Sequence, residues 1–479
     1  MNCHLLSRHR WCAAAAGLYL CTTASVFSQD LSAFHAAAQE FDAQWLAARH
    51  ALDAARMLPG QARAGLLPQV SLTARRHEEK GPLFFADEPP VDKDVQGRTG
   101  TVELTQGLLR PAQWWALRQA NAQEAQALAQ HHAEGQQMGL RVVQAYLDAW
   151  VADESVRLSK VQLTAVRAQL ELAQRNFDVG ATTITDVYEA QAKLDLGLAQ
   201  ATAAESELQN RLVELERLTG RWPLSLHGLN EEAVLAGADV VPLDQWMEQA
   251  QQMPPEIRAA QASVAVAEAE QSRQKASLLP TVDLTFRKSL DRSSGSITAP
   301  TDVPYRNRTT QALLSVSWPI FEGGRSYYQI RESAYSLYRA QAELDGAQRV
   351  AQSAVRQAYT GLRSGKSQIR ALRSGSLSSL KALDASRVGY RIGTRINKDV
   401  LDAEAQYYGV QRDLAKAKAD TVMHWARLHA AIGALTPETI ERINSWLLTQ
   451  GQPISTFDET PDMQNSVFQA RPPHTRKTP

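Results

Sequence analysis

The sequence predicts a mainly α-helical protein with a transmembrane β-barrel portion, built as two tandem repeats. Each repeat is expected to run helix, β-hairpin, long helix, turn and second helix. Three features lead to this fold class: an internal repetition, a pair of long proline-free stretches, and four short segments in which apolar and polar residues alternate.

The repetition extends over most of the chain. When Gly180 is placed on Gly393, further identical residues superpose without a gap: Asp186 on Asp399, Ala190 on Ala403, Gly220 on Gly433 and Gln144-Ala145-Tyr146 on Gln357-Ala358-Tyr359. With an offset shorter by one residue, Leu66-Leu67-Pro68 matches Leu278-Leu279-Pro280. The two halves are therefore copies of one unit, and they must be interpreted together.

The N-terminus has the pattern of a secretory signal peptide. Arg8 and Arg10 supply positive charge, residues 11–24 are apolar, and Ser28 is a small residue at the expected cleavage point, so the mature chain should begin near Gln29. All three cysteines lie in this segment, so the mature chain would have no disulfide and no thiol chemistry. A lipid anchor at Cys21 is disfavoured by the bulky residues before it.

Charge and hydropathy give no support to a nucleic-acid-binding protein or to a protein with membrane-spanning helices. The 51 basic and 51 acidic residues balance, so net charge gives no reason to expect a nucleic-acid partner. After the signal, no run approaches the roughly 18 apolar residues of a membrane-spanning helix. If the exported chain crosses a membrane, it must do so as a β-barrel.

A β-hairpin with a long polar loop is predicted in each repeat. In the first, Val70 and Leu72 alternate with polar residues, as do Val102 and Leu104 after a stretch rich in Pro, Asp and Gly at 81–97. Strands of about ten residues with one apolar face fit the wall of a transmembrane barrel. An ordinary two-faced soluble sheet has the same local periodicity and remains an alternative.

The segment after each hairpin favours the barrel. Residues 111–176 and 324–388 are rich in Ala, Gln, Leu, Arg and Glu and contain no proline after Pro111, which predicts two helices about 100 Å long at 1.5 Å per residue. Their apolar residues recur at threes and fours, so they require coiled-coil-like partners. Each helix then reaches a turn, at Gly180 or Gly393, and a second helix follows.

The predicted boundaries are as follows: signal peptide 1–28; first repeat 29–220, with a helix at 31–63, strands at about 68–80 and 98–109, and helices 111–176 and 186–219; linker 221–255; second repeat 256–433, with strands at about 280–290 and 307–321 and helices 324–388 and 398–432; short helix 434–449; disordered tail 450–479. Four strands cannot close a barrel, for which about eight is the practical minimum. Several copies of the chain are therefore expected to contribute to one barrel.

Two segments carry a resemblance to a known family. The stretches GYRIGTRINKDVLDAE, from Gly389, and VGATTITDVYEAQ, from Val179, resemble the turn motifs of the TolC-like exit ducts of type I secretion and tripartite efflux. The resemblance implies a homotrimer with a twelve-stranded barrel in outer-membrane lipid and a helical tunnel in the periplasm. It also implies a periplasmic adaptor (membrane fusion) protein and an inner-membrane ABC or proton-driven transporter. The conduit would be passive, carrying protein or small molecules, with type I secretion favoured over efflux.

The turn ends hold the only candidate site. Asp399 and Asp402 are three apart at the start of a helix, so they share a face near its positive end. In a ring of chains such carboxylates would favour cations and could bind divalent ions. Lys398, where the family motif has an apolar residue, weakens that preference.

The resemblance assigns roles at this site. Asp399 and Asp402 match the carboxylates of the tunnel tip, while Tyr390, Arg395 and Asp186 match the residues whose hydrogen bonds and ion pairs keep it closed. The turn glycines are Gly180 and Gly393. Without the resemblance, helix capping is the alternative role. Thr183 and Asp186 have the spacing of a capping box, Asn397 is a candidate cap, and for Asp399 both roles stay open.

No enzyme and no cofactor are predicted. The sequence shows no Ser/His/Asp set and no paired catalytic carboxylates that would share a cleft. The alternative function is that of a periplasmic coiled-coil scaffold or adaptor without a membrane barrel. Outer-membrane fractionation would separate that alternative from the exit duct.

Overall fold

A computed structural model describes residues 30–85, 88–237, 241–251, 254–298, 301–448 and 451–455. The predicted signal peptide, 1–28, and most of the predicted tail, 456–479, lie outside these residues. The elements, in chain order, are α1 Leu31–Phe41, α2 Ala43–Ala55, α3 Leu58–Ala64, β1 Gln69–Phe85, β2 Glu88–Leu109, α4 Pro111–Asp178, α5 Ile184–Thr219, β3 Ser225–Leu226, α6 Glu231–Gly237, α7 Leu243–Gln251, α8 Pro255–Ala276, β4 Thr281–Ser293, β5 Tyr305–Ser317, α9 Arg325–Arg391, α10 Asn397–Ala431, α11 Pro437–Asn444 and β6 Gln452–Pro453.

The first predicted helix, 31–63, is three helices in the structure. Two breaks separate them, the second at residues 56–57. The first falls at Asp42, whose backbone is extended (φ −60°, ψ 114°) and whose carboxylate accepts a hydrogen bond from the Gln44 amide at 2.9 Å. The same carboxylate pairs with Arg141 of α4 at 2.6 Å. The local composition predicts one continuous helix. The cap on α2 and the ion pair with α4 together favour a break at Asp42 instead.

Four antiparallel strands form one sheet in the order β1-β2-β4-β5. Because β2 pairs with β4, the sheet joins the two repeats, and β1 and β5 are its edges. Apolar side chains on the strands remain exposed in the single chain, among them Leu72 (76%) and Val316 (67%). The sheet therefore leaves an apolar surface and two pairing edges uncovered.

The prediction of a long polar loop at 81–97 was wrong. Both strands continue through most of it, with Gly81 opposite Lys93 and Leu83 opposite Val91, so the first hairpin is longer than the second. Part of this extension is covered by the connection between β4 and β5, where Asp302 pairs with the buried side chain of Lys93 at 3.0 Å. Pairing between the strands and packing by a distant segment of the same chain outweigh the turn-forming composition.

The long helices α4 and α9 have 68 and 67 residues. At 1.5 Å per residue each spans about 100 Å. Pro111 stands in the first turn of α4, where its missing amide costs no helical hydrogen bond. At the far end each helix reverses direction, α4 into α5 and α9 into α10. The molecule is thus a shaft of antiparallel helices with the sheet at one end and the two turns at the other.

The core lies where the shaft is thickest. Residues of α4, α5, α9 and α10 pack there with α1, α7 and α11 in one cluster. Tyr146 is fully buried in it, and its hydroxyl donates to the His227 carbonyl at 3.2 Å and accepts from the His227 amide at 2.9 Å. The segment between the repeats is thereby fixed to α4, and β3 of that segment pairs with β6.

None of the helices in the described part of the chain is both long enough and apolar enough to cross a membrane.

Candidate functional site

The two helix turns form the candidate site. Gly180 and Gly393 adopt the left-handed conformation, with φ of +74° and +77°, and the matched pair Gly220 and Gly433 has φ of +66° and +72°. At Gly180 and Gly393 an added Cβ would meet nothing within 4 Å. Backbone conformation, rather than crowding, is therefore what requires glycine at both turns.

Each of the two predicted tip carboxylates pairs with a cation of its own chain. Asp399 Oδ2 lies 3.5 Å from Nη1 of Arg395, which is four residues earlier and just before α10. Asp402 Oδ1 lies 2.8 Å from Lys193 Nζ, which belongs to α5 of the first repeat. The first contact stays within one turn, whereas the second connects the two repeats.

Asn397 is not the helix cap that the sequence suggested. The cap position of α10 is Ile396, which makes no side-chain capping bond, and Asn397 is fully buried as the first helical residue. Its Oδ1 accepts a hydrogen bond from Gln169 Nε2 at 2.5 Å, and its Nδ2 donates to the Asp186 carbonyl at 3.2 Å. One buried amide thus connects α10 to both helices of the first repeat.

Asp186 and Tyr390 each take part in a hydrogen bond between the two repeats. Asp186 contributes its backbone carbonyl to Asn397, and Thr183, at the cap position before it, makes no side-chain capping bond. The capping box is therefore not formed. The Tyr390 hydroxyl accepts from Asn176 Nδ2 at 3.3 Å, which joins the second turn to the end of α4.

A buried ion pair lies behind the second turn. Glu404 has a side chain only 3% exposed, and its Oε1 lies 2.7 Å from Arg387 Nη2, which ties α10 to α9. Its other oxygen, Oε2, is buried without a partner in the described structure. Burial, followed by the nearby Glu404 carboxylate, raises the pKa of Tyr408. A carboxylate with one satisfied oxygen depends strongly on that one contact.

A small apolar cluster supports these polar contacts. Leu401 of α10 packs with Val166 and Leu170 of α4 and with Ala190 of α5, and Leu401 and Ala190 are 2% and 0% exposed. Leu401 directly precedes Asp402, while Ala190 is three residues before Lys193. The cluster therefore sets the geometry of the ion pair between the repeats.

Sequence reasoning missed Lys193, Asn176, Gln169 and the Arg387–Glu404 pair. The sequence did hold a signal for Asn397, because the duplication aligns this polar residue with the apolar Ile184. Such a difference between repeats indicates that the two positions have different surroundings. No spacing rule relates Lys193 to Asp402, because they come from different repeats.

Within the described part of the chain, no group of three or more His, Cys, Asp or Glu side chains could hold a metal ion.

Two repeats, each with a β-hairpin at one end of a long helical shaft and a polar turn at the other, define a class of channel-forming proteins. The chain belongs to the outer membrane efflux protein family, whose model matches residues 36–221 and 246–434. This confirms the predicted TolC-like fold and tandem repeat. The protein is an outer-membrane exit channel of the efflux and secretion systems, and its family is one of transport channels.

Curated relatives and solved structures agree with this assignment. The chain is 27% identical to the outer membrane protein TolC of Vibrio cholerae over 89% of this chain and 95% of that one. It is 28% identical to the alkaline protease secretion protein AprF of Pseudomonas aeruginosa over 86% of each chain. CusC, at 15% identity, superposes with a TM-score of 0.72 over 84% of this chain and 92% of its own. VceC of Vibrio cholerae, at 18% identity, gives 0.69 over 85% of this chain and 97% of its own.

Proposed function

We propose that three copies of the chain form one passive exit duct, closed at the turn end by contacts between the two repeats. The observation that carries this proposal is the set of polar contacts across the repeats at that end: Lys193 with Asp402, Asn176 with Tyr390, and Asn397 with Gln169 and the Asp186 carbonyl. Separating the repeats would break all of them, whereas the contacts within each repeat would survive.

The open sheet supports assembly into a ring. Its edge strands β1 and β5 have unpaired sides, so β5 of one copy would pair with β1 of the next. Its exposed apolar residues would then face outer-membrane lipid. Three copies would supply twelve strands, enough to close a barrel, and the shafts would extend into the periplasm as a tunnel.

Opening requires a partner that binds the separated state of the repeats more tightly than the closed one. We assign that role to a periplasmic adaptor protein engaging the turns, with an inner-membrane ABC or proton-driven transporter supplying the energy. Protein export by a type I secretion system is favoured over small-molecule efflux. The similarity to AprF and to the proteases secretion protein PrtF of Dickeya chrysanthemi supports that preference.

Single-channel conductance in planar bilayers tests the gate. Arg395 holds Asp399, and an added Cβ at Gly389 would lie 2.6 Å from its Cγ, so the side chain packs tightly against the turn. Arg395→Ser removes this packing and the ion pair. Arg395 lies between Tyr390 and Asn397, whose hydrogen bonds cross to the first repeat, so loosening this turn should weaken those contacts. A loss of about 1 kcal/mol should raise the open population about five-fold per protomer.

Arg349→Ser is the matched control, since Arg349 is an exposed residue of α9 about 60 Å from the turn at 1.5 Å per residue. It should leave conductance unchanged. Equal conductance for wild type and Arg395→Ser would remove Arg395 from the gate. If the folded, membrane-extracted protein forms no channels at all, the duct itself is rejected.

A further inference from the structure

The tip of this channel carries its own counter-charges. Lys193 Nζ lies 2.8 Å from Asp402 Oδ1, and Arg395 Nη1 lies 3.5 Å from Asp399 Oδ2. Lys398 is an exposed third cation at the same turn. Asp399 and Asp402 thus each have a cation of their own protomer beside them, so a ring of unpaired carboxylates is not what the geometry describes.

Lys193 differs from the other two cations in where it comes from. Arg395 and Lys398 belong to the second turn, but Lys193 is on α5, in the first repeat. The apolar contact of Ala190 with Leu401 holds the backbone on both sides of the ion pair. Because the two backbones are already held at this separation, only the two side chains lose conformational entropy when Lys193 pairs with Asp402.

We propose that Lys193 is a selectivity-determining residue, which neutralises Asp402 so that the closed constriction discriminates only weakly between small cations and anions. This inference rests on the proposed exit duct and concerns the same turn end. The side chains of Lys193 and Asp402 are 40% and 49% exposed in the single chain, so water and small ions can reach both. Their mutual distance is shorter than any that a hydrated permeating cation could reach, so the lysine outcompetes that cation for the carboxylate.

Removing the lysine should restore cation preference. In Lys193→Gln the Asp402 carboxylates of all protomers lose their counter-charge, and the local potential becomes more negative by an amount on the order of one kT. Cations are then enriched and anions depleted, so the K⁺/Cl⁻ permeability ratio should rise about five-fold or more. Millimolar Mg²⁺ should block the variant while leaving the wild type nearly unaffected.

The experiment is the reversal potential of single channels in a KCl gradient, with Mg²⁺ added to the periplasmic side. Lys193→Arg keeps the charge and should match the wild type. Lys416→Gln removes an exposed lysine of α10 about 21 Å from Asp402 along the helix and should also match. Both Lys193→Gln and Lys193→Gln/Asp402→Asn lose the ion pair that helps close the gate, so comparing the two isolates the effect of charge. In the double variant the added cation preference should disappear, because the carboxylate that Lys193 neutralises is gone.

Each outcome has a distinct meaning. A wild type with a strong cation preference, or Lys193→Gln channels with wild-type selectivity, overturns the inference and leaves the duct intact. A double variant as cation-selective as Lys193→Gln shows that the lysine acts elsewhere than on Asp402, which also overturns it. A folded wild type without channels removes the proposed function and the inference together.

Discussion

Asn397 shows how one buried amide can join two halves of a molecule. It is fully buried, and its two polar atoms contact Gln169 and the Asp186 carbonyl across the repeat boundary. A buried amide is stable only while its partners stay in place, because unpaired polar groups in an apolar environment cost about 1–3 kcal/mol. The residue therefore favours one relative position of the repeats over all others.

Replacing Asn397 by Leu should loosen the turn end. The variant leaves the Gln169 amide and the Asp186 carbonyl without their partner, at a cost of about 1–3 kcal/mol to the closed state. The open population measured by single-channel conductance should therefore increase about five-fold or more.

Gln411→Leu is the control, since Gln411 bonds Ser376 and Tyr407 within the second repeat and joins nothing across the boundary. It should leave gating unchanged. An equal effect of both substitutions would mean that general helix stability, and not contact between the repeats, sets the gate.

The Arg387–Glu404 pair should show strong energetic coupling. Arg387→Gln leaves the buried Glu404 carboxylate without its one partner and should reduce the local stability of the α9–α10 turn by about 1–3 kcal/mol. Adding Glu404→Gln should recover most of that loss, because the uncompensated charge is removed. Amide hydrogen exchange across residues 383–410 measures the loss of stability in the single and in the double variant. Purely additive losses would show that Arg387 and Glu404 are not energetically coupled.

At the scale of the element, the turns differ from the helices they connect in what they require of glycine. Gly393→Ala places a Cβ at φ +77° and should destabilise the turn by about 1–2 kcal/mol through backbone strain alone. Gly346→Ala, in α9 with nothing within 4 Å of the added Cβ, should instead stabilise its helix by about 1 kcal/mol. Hydrogen exchange of the two segments compares them directly, and the same sign at both positions would contradict this account.

The elements that could be predicted are those with long-period signals. The proline-free stretches and their repeated spacing indicate α4 and α9, and the duplication places both turn glycines, because a repeated pattern averages over local noise. The strand extension through 81–97 could not be predicted, since pairing between Gly81 and Lys93 outweighs turn-forming composition.

The candidate site was predicted only in part. The motif predicted the turn residues, and Arg395 pairs with Asp399 inside that turn, but Asp402, Tyr390 and Asn397 have their partners in the first repeat. Contacts such as Lys193 with Asp402 depend on how the helices lie side by side. Sequence spacing fixes neighbours on one helix and carries no information on that relation.

The whole molecule should lose stability on mild acidification. Burial lowers the pKa of His35 and of His429, so each is held neutral in the folded core, His429 beside Trp425 and Trp246. Their folded pKa values lie below the unfolded value of about 6.5. The unfolded chain therefore binds more protons below that pH, and their contribution is complete above it and declines as pH falls towards the folded values.

Thermal unfolding followed by far-ultraviolet circular dichroism, at pH 7.5 and 5.5, measures this loss. His429→Gln removes one of these two titrating groups and should flatten the dependence of stability on pH. The exposed His50 provides a control, since His50→Gln should keep the slope of the parent chain. An unaltered slope in His429→Gln would assign acid sensitivity to other groups.

The duplication within one chain has a consequence for how such a ring can change over generations. A ring of single-repeat subunits would have identical coils, and any substitution would appear in all of them at once. Here the copies have diverged: Asn397 stands against Ile184, Glu404 against Gln191, and Gln406 against Lys193. Because the two repeats are joined in one chain, a substitution in one repeat leaves the sequence of the other unchanged. Each repeat can therefore acquire its own contacts at the turn end.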